Sequence, residues 1–90
     1  MEKISPKQLE ELVHWHILNN AIVKSFSFSS FNEAILFVNQ LAEMAEKHNH
    51  HPEINIVYNK VDIVLTTKDY GEITEKDFVL AQEIDTLIKN

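Results

Sequence analysis

Three helix-start signals divide this chain into segments of different pattern. Ser5-Pro6, Ser29-Ser30 and Thr74 each precede apolar residues spaced three and four apart. Serine and threonine are preferred N-caps because the hydroxyl accepts a hydrogen bond from a backbone N–H of the first turn, which has no partner inside the helix. Three helices begun in this way leave two intervals between them, and each interval has the composition of a strand pair.

The predicted helices differ in length and in the way they begin. Gln8 follows Ser5 by three residues and Glu33 follows Ser30 by three, so both pairs predict reciprocal capping boxes. The long central helix carries apolar residues over a wide part of its circumference, which predicts that one flank faces a second subunit. The helices are predicted over 6–13, over 31–47 and over a segment that begins after Thr74.

The intervals between the helices alternate apolar and polar residues as half-buried strands do. In the first interval, 14–28, the pair Asn19-Asn20 tolerates positive φ and predicts a hairpin turn. The segments 54–59 and 61–67 are rich in β-branched residues and predict two strands, or one long bent strand. We therefore predict an α+β fold in a single domain over 1–90. Its four-stranded antiparallel sheet is covered by helices on one face, in the order α-β-β-α-β-β-α.

The charge and the residue types exclude several classes of protein. With 14 acidic residues against 8 basic ones, a net charge of -6 and no basic cluster, direct binding to nucleic acid is not expected. The lack of cysteine removes disulfides and thiolate metal sites and favours a reducing compartment, so we expect a cytoplasmic protein. No segment approaches the roughly 20 apolar residues of a membrane span, and no signal-peptide pattern opens the sequence.

Three of the five histidines cluster where the long helix must end. His48, His50 and His51 are followed by Pro52, which lacks an N–H and disfavours a helical conformation at the residue before it. Two adjacent imidazoles are therefore fixed at a helix-to-strand junction. Histidine titrates nearest neutrality in reference peptides, so this corner could hold a metal-free acid–base pair.

Two other interpretations of the histidines remain open from residue types alone. A metal site would have two ligands from the corner and would need a third, such as Glu46, Asp62 or a histidine of the first hairpin. There His14 and His16 are two apart and would share one face of a strand. Alternatively, the basic residues at the end of the long helix only complement its negative end, and the other histidines are solvated.

The corner also resembles a known family. Glu46-x-x-x-His50-His51-Pro52, followed by Tyr58 after five residues and by Asp77 in Thr74-Glu75-Lys76-Asp77, resembles the pterin-4a-carbinolamine dehydratases. The resemblance covers the chain from about Trp15 to Leu87. Its further matching positions are Trp15, 22–34, 57–61 and Ala81.

The resemblance implies a metal-free hydro-lyase without a cofactor. Such an enzyme removes water from 4a-hydroxytetrahydrobiopterin to give quinonoid dihydropterin during tetrahydrobiopterin recycling, and family members form homodimers or homotetramers. By the family pattern, His50 is expected to be the general acid for the departing hydroxyl and His51 to hold and polarise the pterin. The positions expected to shape the pterin-binding pocket are Glu46, Pro52, Thr67 and Asp77.

The chain departs from the family pattern at one expected catalytic position. A third histidine is expected directly after the threonine that ends the fourth strand, but Lys68 follows Thr67 here. In reference peptides lysine is the weaker acid by about four pKa units, on the order of 5 kcal/mol. Glu72 also replaces the usual second glycine after Gly71. The sequence therefore allows two functions: a dehydratase whose activity Lys68 reduces, or a pterin-binding or protein-interaction module with weakened catalysis.

Overall fold

Two antiparallel hairpins form one sheet, with the second strand of each hairpin at its centre. The computed structural model describes residues 2–88, and the sheet order is β1-β2-β4-β3. The turns lie at Asn19, with φ 57°, and at Tyr58, with φ 53°, so the second segment forms two strands rather than a single bent one. The strands are β1 (His16–Leu18), β2 (Ala21–Ser27), β3 (Glu53–Val57) and β4 (Lys60–Leu65).

All three helices begin at the predicted caps. The capping box between Ser5 and Gln8 is confirmed, with both hydrogen bonds present. Ser30 Oγ accepts from Glu33 N at 3.1 Å, but the predicted reciprocal bond is wrong, since Glu33 Oε1 accepts instead from Ser29 Oγ at 2.6 Å. The helices are α1 (Pro6–Glu11), α2 (Phe31–His48) and α3 (Glu75–Thr86). The α+β order predicted from the sequence is therefore confirmed.

Helix α1 and strand β1 are both shorter than predicted. Helix α1 ends at Glu11, and Leu12 N donates to Leu9 O, which tightens the last turn. His14 has φ 69° and lies outside β1, so His14 and His16 do not share a strand face as predicted. The positive φ turns the chain sharply between α1 and the hairpin.

The hydrophobic core fills the space between one face of the sheet and the helices. Strand β4 alternates strictly, with Val61, Ile63 and Leu65 buried. Burying each of these side chains contributes about 1.5–3 kcal/mol relative to exposure. Phe37 of α2 contacts Phe26, with ring centroids 4.9 Å apart, and so joins the long helix to the sheet. The opposite face of the sheet is open, which confirms a sheet covered on one face.

A polar contact fixes the far end of α3 to the first hairpin. Asp85 accepts from Trp15 Nε1 at 3.0 Å and from Lys24 Nζ at 2.7 Å. Asp85 lies in the last turn of α3, so these bonds tie the end of that helix to the first hairpin. The opposite end of α3 carries its N-cap Thr74 and Asp77.

Part of the surface of α2 is apolar and exposed. Leu36 is 62% exposed and Phe31 is 49% exposed. The second subunit predicted to contact this helix remains a prediction. Within residues 2–88, no helix combines the length and apolar character needed to cross a bilayer.

Candidate active site

A single left-handed residue ends α2 and separates the environments of the two histidines. Asn49 has φ 50° and ψ 43°, and its N–H donates to Ala45 O and Glu46 O. Asparagine tolerates this conformation better than most residues, and it satisfies carbonyls that the helix end leaves free. His50 N then donates to Ala45 O at 3.0 Å, which turns the chain back towards the core. His50 is therefore buried, whereas His51 is exposed.

His50 contacts a buried aspartate from the start of α3. Its Nε2 lies 2.6 Å from Asp77 Oδ1, and Asp77 is fully buried. Asp77 Oδ2 accepts from Thr67 Oγ1 at 2.8 Å and from Thr74 N at 2.9 Å. The last of these bonds is half of the capping box of α3. The same carboxylate therefore begins the helix and holds the imidazole.

The directions of these hydrogen bonds follow from the inventory of donors. An ionised carboxylate only accepts, so His50 Nε2 and the Thr67 hydroxyl both donate to Asp77. Since the single Thr67 hydroxyl proton is used there, Thr67 Oγ1 accepts from Thr74 Oγ1, which is 2.7 Å away. Thr74 Oγ1 in turn accepts from Lys76 N at 3.3 Å. Nε2 of His50 therefore carries a proton, and Nδ1 is the ring nitrogen that has no partner within residues 2–88.

The other two corner histidines form pairs at the surface. His51 Nε2 lies 2.5 Å from Glu46 Oε2, and both side chains are more than half exposed. His48 Nε2 lies 2.9 Å from Glu83 Oε2 of α3 and joins the two helices. An exposed ion pair contributes less than about 1 kcal/mol to stability, so the pair of His51 and Glu46 mainly orients the imidazole.

One cleft brings together four of the predicted site residues. It has a volume of about 360 Å³, and His50, His51, Thr67 and Lys68 line it. Its remaining lining residues are Asn49, Thr66, Asp69 and Lys76. A larger depression of about 930 Å³ lies on the open face of the sheet, but none of the histidines lines it. We place the candidate site in the smaller cleft because His50 and His51 both line it.

The remaining predicted site residues surround this cleft rather than line it. Asp77 lies beneath His50 without exposed surface, so its action on a ligand here is indirect. Glu46 contacts His51, which lines the cleft, and Pro52 lies directly before β3. The roles of these residues towards a substrate remain predictions. Within residues 2–88, no group of three or more histidine, cysteine, aspartate or glutamate side chains is arranged to hold a metal ion.

Some residues of the candidate site were not predicted from the sequence. Thr74 was assigned only as an N-cap, yet its hydroxyl belongs to the buried network around Asp77. Its spacing of three from Asp77 was the available signal, since a capping box brings these two residues together. Lys76 and Asp69 also line the cleft, and only the fold brings them there.

Taken together, the site defines a class: a small α+β domain in which a buried aspartate holds one imidazole and a second imidazole lines the same cleft. The profile of the family described as pterin 4 alpha carbinolamine dehydratase matches residues 2–87. This chain therefore belongs to the pterin-4-alpha-carbinolamine dehydratase family.

Similar proteins agree with this assignment. A relative from Picosynechococcus sp. is 50% identical over 80 residues, which cover 89% of this chain and 87% of the relative. One from Chloroflexus aurantiacus is 46% identical over 82 residues, covering 91% and 88%. Both are provisionally named pterin-4-alpha-carbinolamine dehydratase.

Two solved structures share the fold. A protein from Brucella melitensis described as a transcriptional coactivator/pterin dehydratase has a TM-score of 0.88 and 33% identity, with 94% of this chain and 97% of that chain covered. A pterin dehydratase-like protein identified as a RuBisCO assembly factor in the alpha-carboxysome has a TM-score of 0.69 and 25% identity, covering 84% and 88%.

Replacing Asp77 with asparagine should destabilise the fold. The amide has an N–H₂ group where the carboxylate has a second accepting oxygen, so one of the buried donors would lose its acceptor. A buried donor left without an acceptor costs about 1–3 kcal/mol. We expect the free energy of unfolding in urea to fall by about 2 kcal/mol. The matched control is Asp69→Asn, at an exposed position of the same cleft, which should change it by less than about 0.5 kcal/mol. Equal midpoints for the two variants would contradict this role of Asp77.

Proposed function

We propose that this protein dehydrates 4a-hydroxytetrahydrobiopterin to quinonoid dihydropterin, as a step in tetrahydrobiopterin recycling. The observation that carries the proposal is the shared cleft of His50 and His51, with Asp77 behind the first imidazole, in a chain that belongs to the dehydratase family. The cleft volume of about 360 Å³ is in the range of small-molecule sites and suits a bicyclic ring.

His50 is the general acid in this proposal. Loss of water breaks the C4a–O bond, and the departing hydroxyl needs a proton, while the ring gives up a proton from nitrogen. Asp77 fixes the proton on Nε2 and stabilises an imidazolium, so the proton passed to the hydroxyl leaves from Nδ1. A buried carboxylate orients a catalytic histidine in the same way in hydrolases that use a Ser-His-Asp triad.

His51 holds and polarises the pterin in this proposal. Its imidazole contacts Glu46 and is solvent-exposed, whereas that of His50 is buried against Asp77. Two neighbouring imidazoles in such different surroundings are suited to different tasks. Glu46 keeps His51 turned towards the helix end, and Pro52 prevents α2 from continuing through the pair.

Lys68 takes the position at which the family pattern has a third histidine. The residue is exposed, follows Thr67 directly and lines the cleft with both histidines. As a cation it can attract an oxygen of the pterin ring. A lysine is nevertheless a weak proton donor, so the acid step in this proposal belongs to His50.

Removing the His50 imidazole should abolish most of the dehydration. General acid catalysis contributes about 10²–10⁴-fold, so His50→Ala should slow turnover of 4a-hydroxytetrahydropterin by about 100-fold or more. The control is His48→Ala, which removes a histidine of the same corner that pairs with Glu83 and should keep most of the activity. If neither the wild type nor His50→Ala dehydrates the substrate faster than the reaction without enzyme, the proposed function is refuted.

A second candidate is a pterin-binding or protein-interaction module that has lost most catalysis. Lys68 favours it, and so does the similarity to a pterin dehydratase-like protein identified as a RuBisCO assembly factor. In the module, the fold and the cleft would serve recognition rather than turnover.

The variant Lys68→His separates the two candidates. It supplies the third imidazole at an exposed position where the structure of residues 2–88 shows no hydrogen bond or ion pair of the side chain, and the backbone bond from Gly71 N to Lys68 O does not depend on the side chain, so the fold should not change. We expect a large gain in the dehydration rate if lysine limits catalysis. Such a gain supports the second candidate, a module that descends from an enzyme and has lost most of its activity. An unchanged rate in a protein that already turns over substrate means that Lys68 does not limit the chemistry.

We also propose a homodimer or a homotetramer that uses the exposed apolar surface of α2. Light scattering at micromolar concentration should give a multiple of the mass of one chain, 10.5 kDa. Leu36→Glu should lower this mass, because a charge replaces an apolar side chain on that surface. Val13→Glu, at a position that is 61% exposed but lies outside α2, is the matched control. A monomeric mass for the wild type would refute the assembly.

A further inference from the structure

Thr74 makes more hydrogen bonds than the cap of a helix requires. A capping hydroxyl needs only to accept from a backbone N–H of the first turn, as Thr74 Oγ1 does from Lys76 N. Thr74 is fully buried, and its hydroxyl also lies 2.7 Å from Thr67 Oγ1, while its own N–H donates to Asp77 Oδ2 at 2.9 Å. Thr74 therefore reaches the Asp77 carboxylate by two routes, one direct and one through Thr67.

The two ends of this chain of hydrogen bonds allow one direction for its protons. The N–H of Lys76 can only donate and an ionised carboxylate can only accept, so both threonine hydroxyls point towards Asp77. A hydroxyl that accepts one hydrogen bond becomes a stronger donor in the next. Donation from Thr74 therefore strengthens the bond from Thr67 Oγ1 to Asp77 Oδ2, which is 2.8 Å long.

The bonds at Oδ2 set the plane of the Asp77 carboxylate. Oδ2 accepts from Thr67 Oγ1 and Thr74 N, whereas Oδ1 accepts from His50 Nε2 at 2.6 Å. The last torsion of an aspartate side chain is soft, so the carboxylate can turn when one of the two Oδ2 bonds is weakened. Such a turn changes the angle at which Oδ1 meets the imidazole. The orientation of His50 therefore depends on a hydroxyl group that does not contact it.

The position of that hydroxyl is supported by contacts outside α3. Ile4 N donates to Ile73 O at 3.3 Å, and Glu75 N donates to Glu2 O at 3.1 Å. The N-terminal segment thus pairs with the residues on both sides of Thr74. The backbone at Thr74 is therefore held independently of the histidine corner.

We propose that Thr74 is a positioning residue for proton transfer by His50. Its hydroxyl directs that of Thr67 into Asp77, and the carboxylate then keeps the proton of His50 on Nε2. No buried side-chain nitrogen or oxygen within residues 2–88 lacks a partner, so Nδ1, which has none, is accessible from the cleft that the imidazole lines. The inference rests on the proposed function, because it concerns the step in which Nδ1 passes a proton to the departing hydroxyl. Thr74 does not line the cleft and takes no part in the transfer itself.

Three variants test the effect on the reaction. Outer hydrogen-bond partners of metal-bound histidines contribute about 10–100-fold, and we expect the lower end of this range here. Thr74→Val removes the hydroxyl at nearly unchanged size and should lower kcat for 4a-hydroxytetrahydropterin about 10-fold, with KM changed less than about 2-fold. Thr74→Ser keeps the hydroxyl and should retain kcat to within about 2-fold. The matched control is Ser30→Ala, which removes the cap at the opposite end of α2, about 25 Å from the corner, and should keep kcat.

The tautomer of His50 is a second readout, which a loss of stability alone would not move. In mildly alkaline solution, nitrogen-15 NMR of the wild type should show Nε2 protonated and Nδ1 unprotonated for the histidine that His50→Ala lacks. Thr74→Val should mix the two tautomers, whereas Thr74→Ser and Ser30→Ala should not. The hydroxyl proton of Thr74 in the wild type should also be visible by NMR, because a buried donor in a hydrogen bond exchanges slowly with water.

A full kcat together with an unchanged tautomer in Thr74→Val overturns the inference and leaves the proposed function intact. So does an equal loss of kcat in Ser30→Ala, because the effect would then follow from stability. If Thr74→Val does not fold, the wild type decides: a Thr74 hydroxyl proton that exchanges freely with water overturns the inference, and a protected one supports it. If the wild type does not dehydrate the substrate, the proposed function fails and the role in catalysis with it, while the nitrogen-15 spectra still decide whether Thr74 fixes the tautomer.

Discussion

The buried carboxylate of Asp77 is the interaction on which the site depends. One oxygen faces His50, and the other accepts from Thr67 at the end of the sheet and from Thr74 at the start of α3. Three parts of the chain that are distant in sequence therefore meet at one group. Burying a carboxylate is costly unless its hydrogen bonds are satisfied, and here every bond also fixes a structural element. The same carboxylate therefore caps the start of α3 and orients the imidazole of His50.

This dependence explains which parts of the molecule could be predicted from the sequence. Helix starts are local, because Ser5, Ser30 and Thr74 signal them within four residues. The order of elements followed from those caps and from the alternation between them. The boundaries between α1 and the first strand were less well predicted. Val13 was predicted in α1 and His14 in a strand, whereas α1 ends at Glu11 and His14 has φ 69°, a conformation that is uncommon for a residue other than glycine and that its type does not signal.

The sequence indicated which residues could form the candidate site, but not how they are arranged. The histidine corner was visible because Pro52 fixes where the helix must end, and the family resemblance supplied Asp77. The sequence could not show that His50 is buried and His51 exposed, because that difference arises from the left-handed conformation of Asn49 at the end of α2. Nor could it show that Lys76 shares a cleft with Lys68, since Lys68 lies in the connection after β4 and Lys76 lies eight positions later, in the first turn of α3.

The exposure of Lys68 has a consequence for how such a site can change. Asp77, Thr67 and Thr74 cannot be exchanged without loosening the fold, because each completes a buried hydrogen bond of another. Lys68 lines the same cleft but is exposed, so a new side chain there should have little effect on folding. The buried network beneath the cleft is constrained by the fold, whereas the exposed residue at its edge is not. Substitutions at the edge can therefore accumulate while the architecture persists.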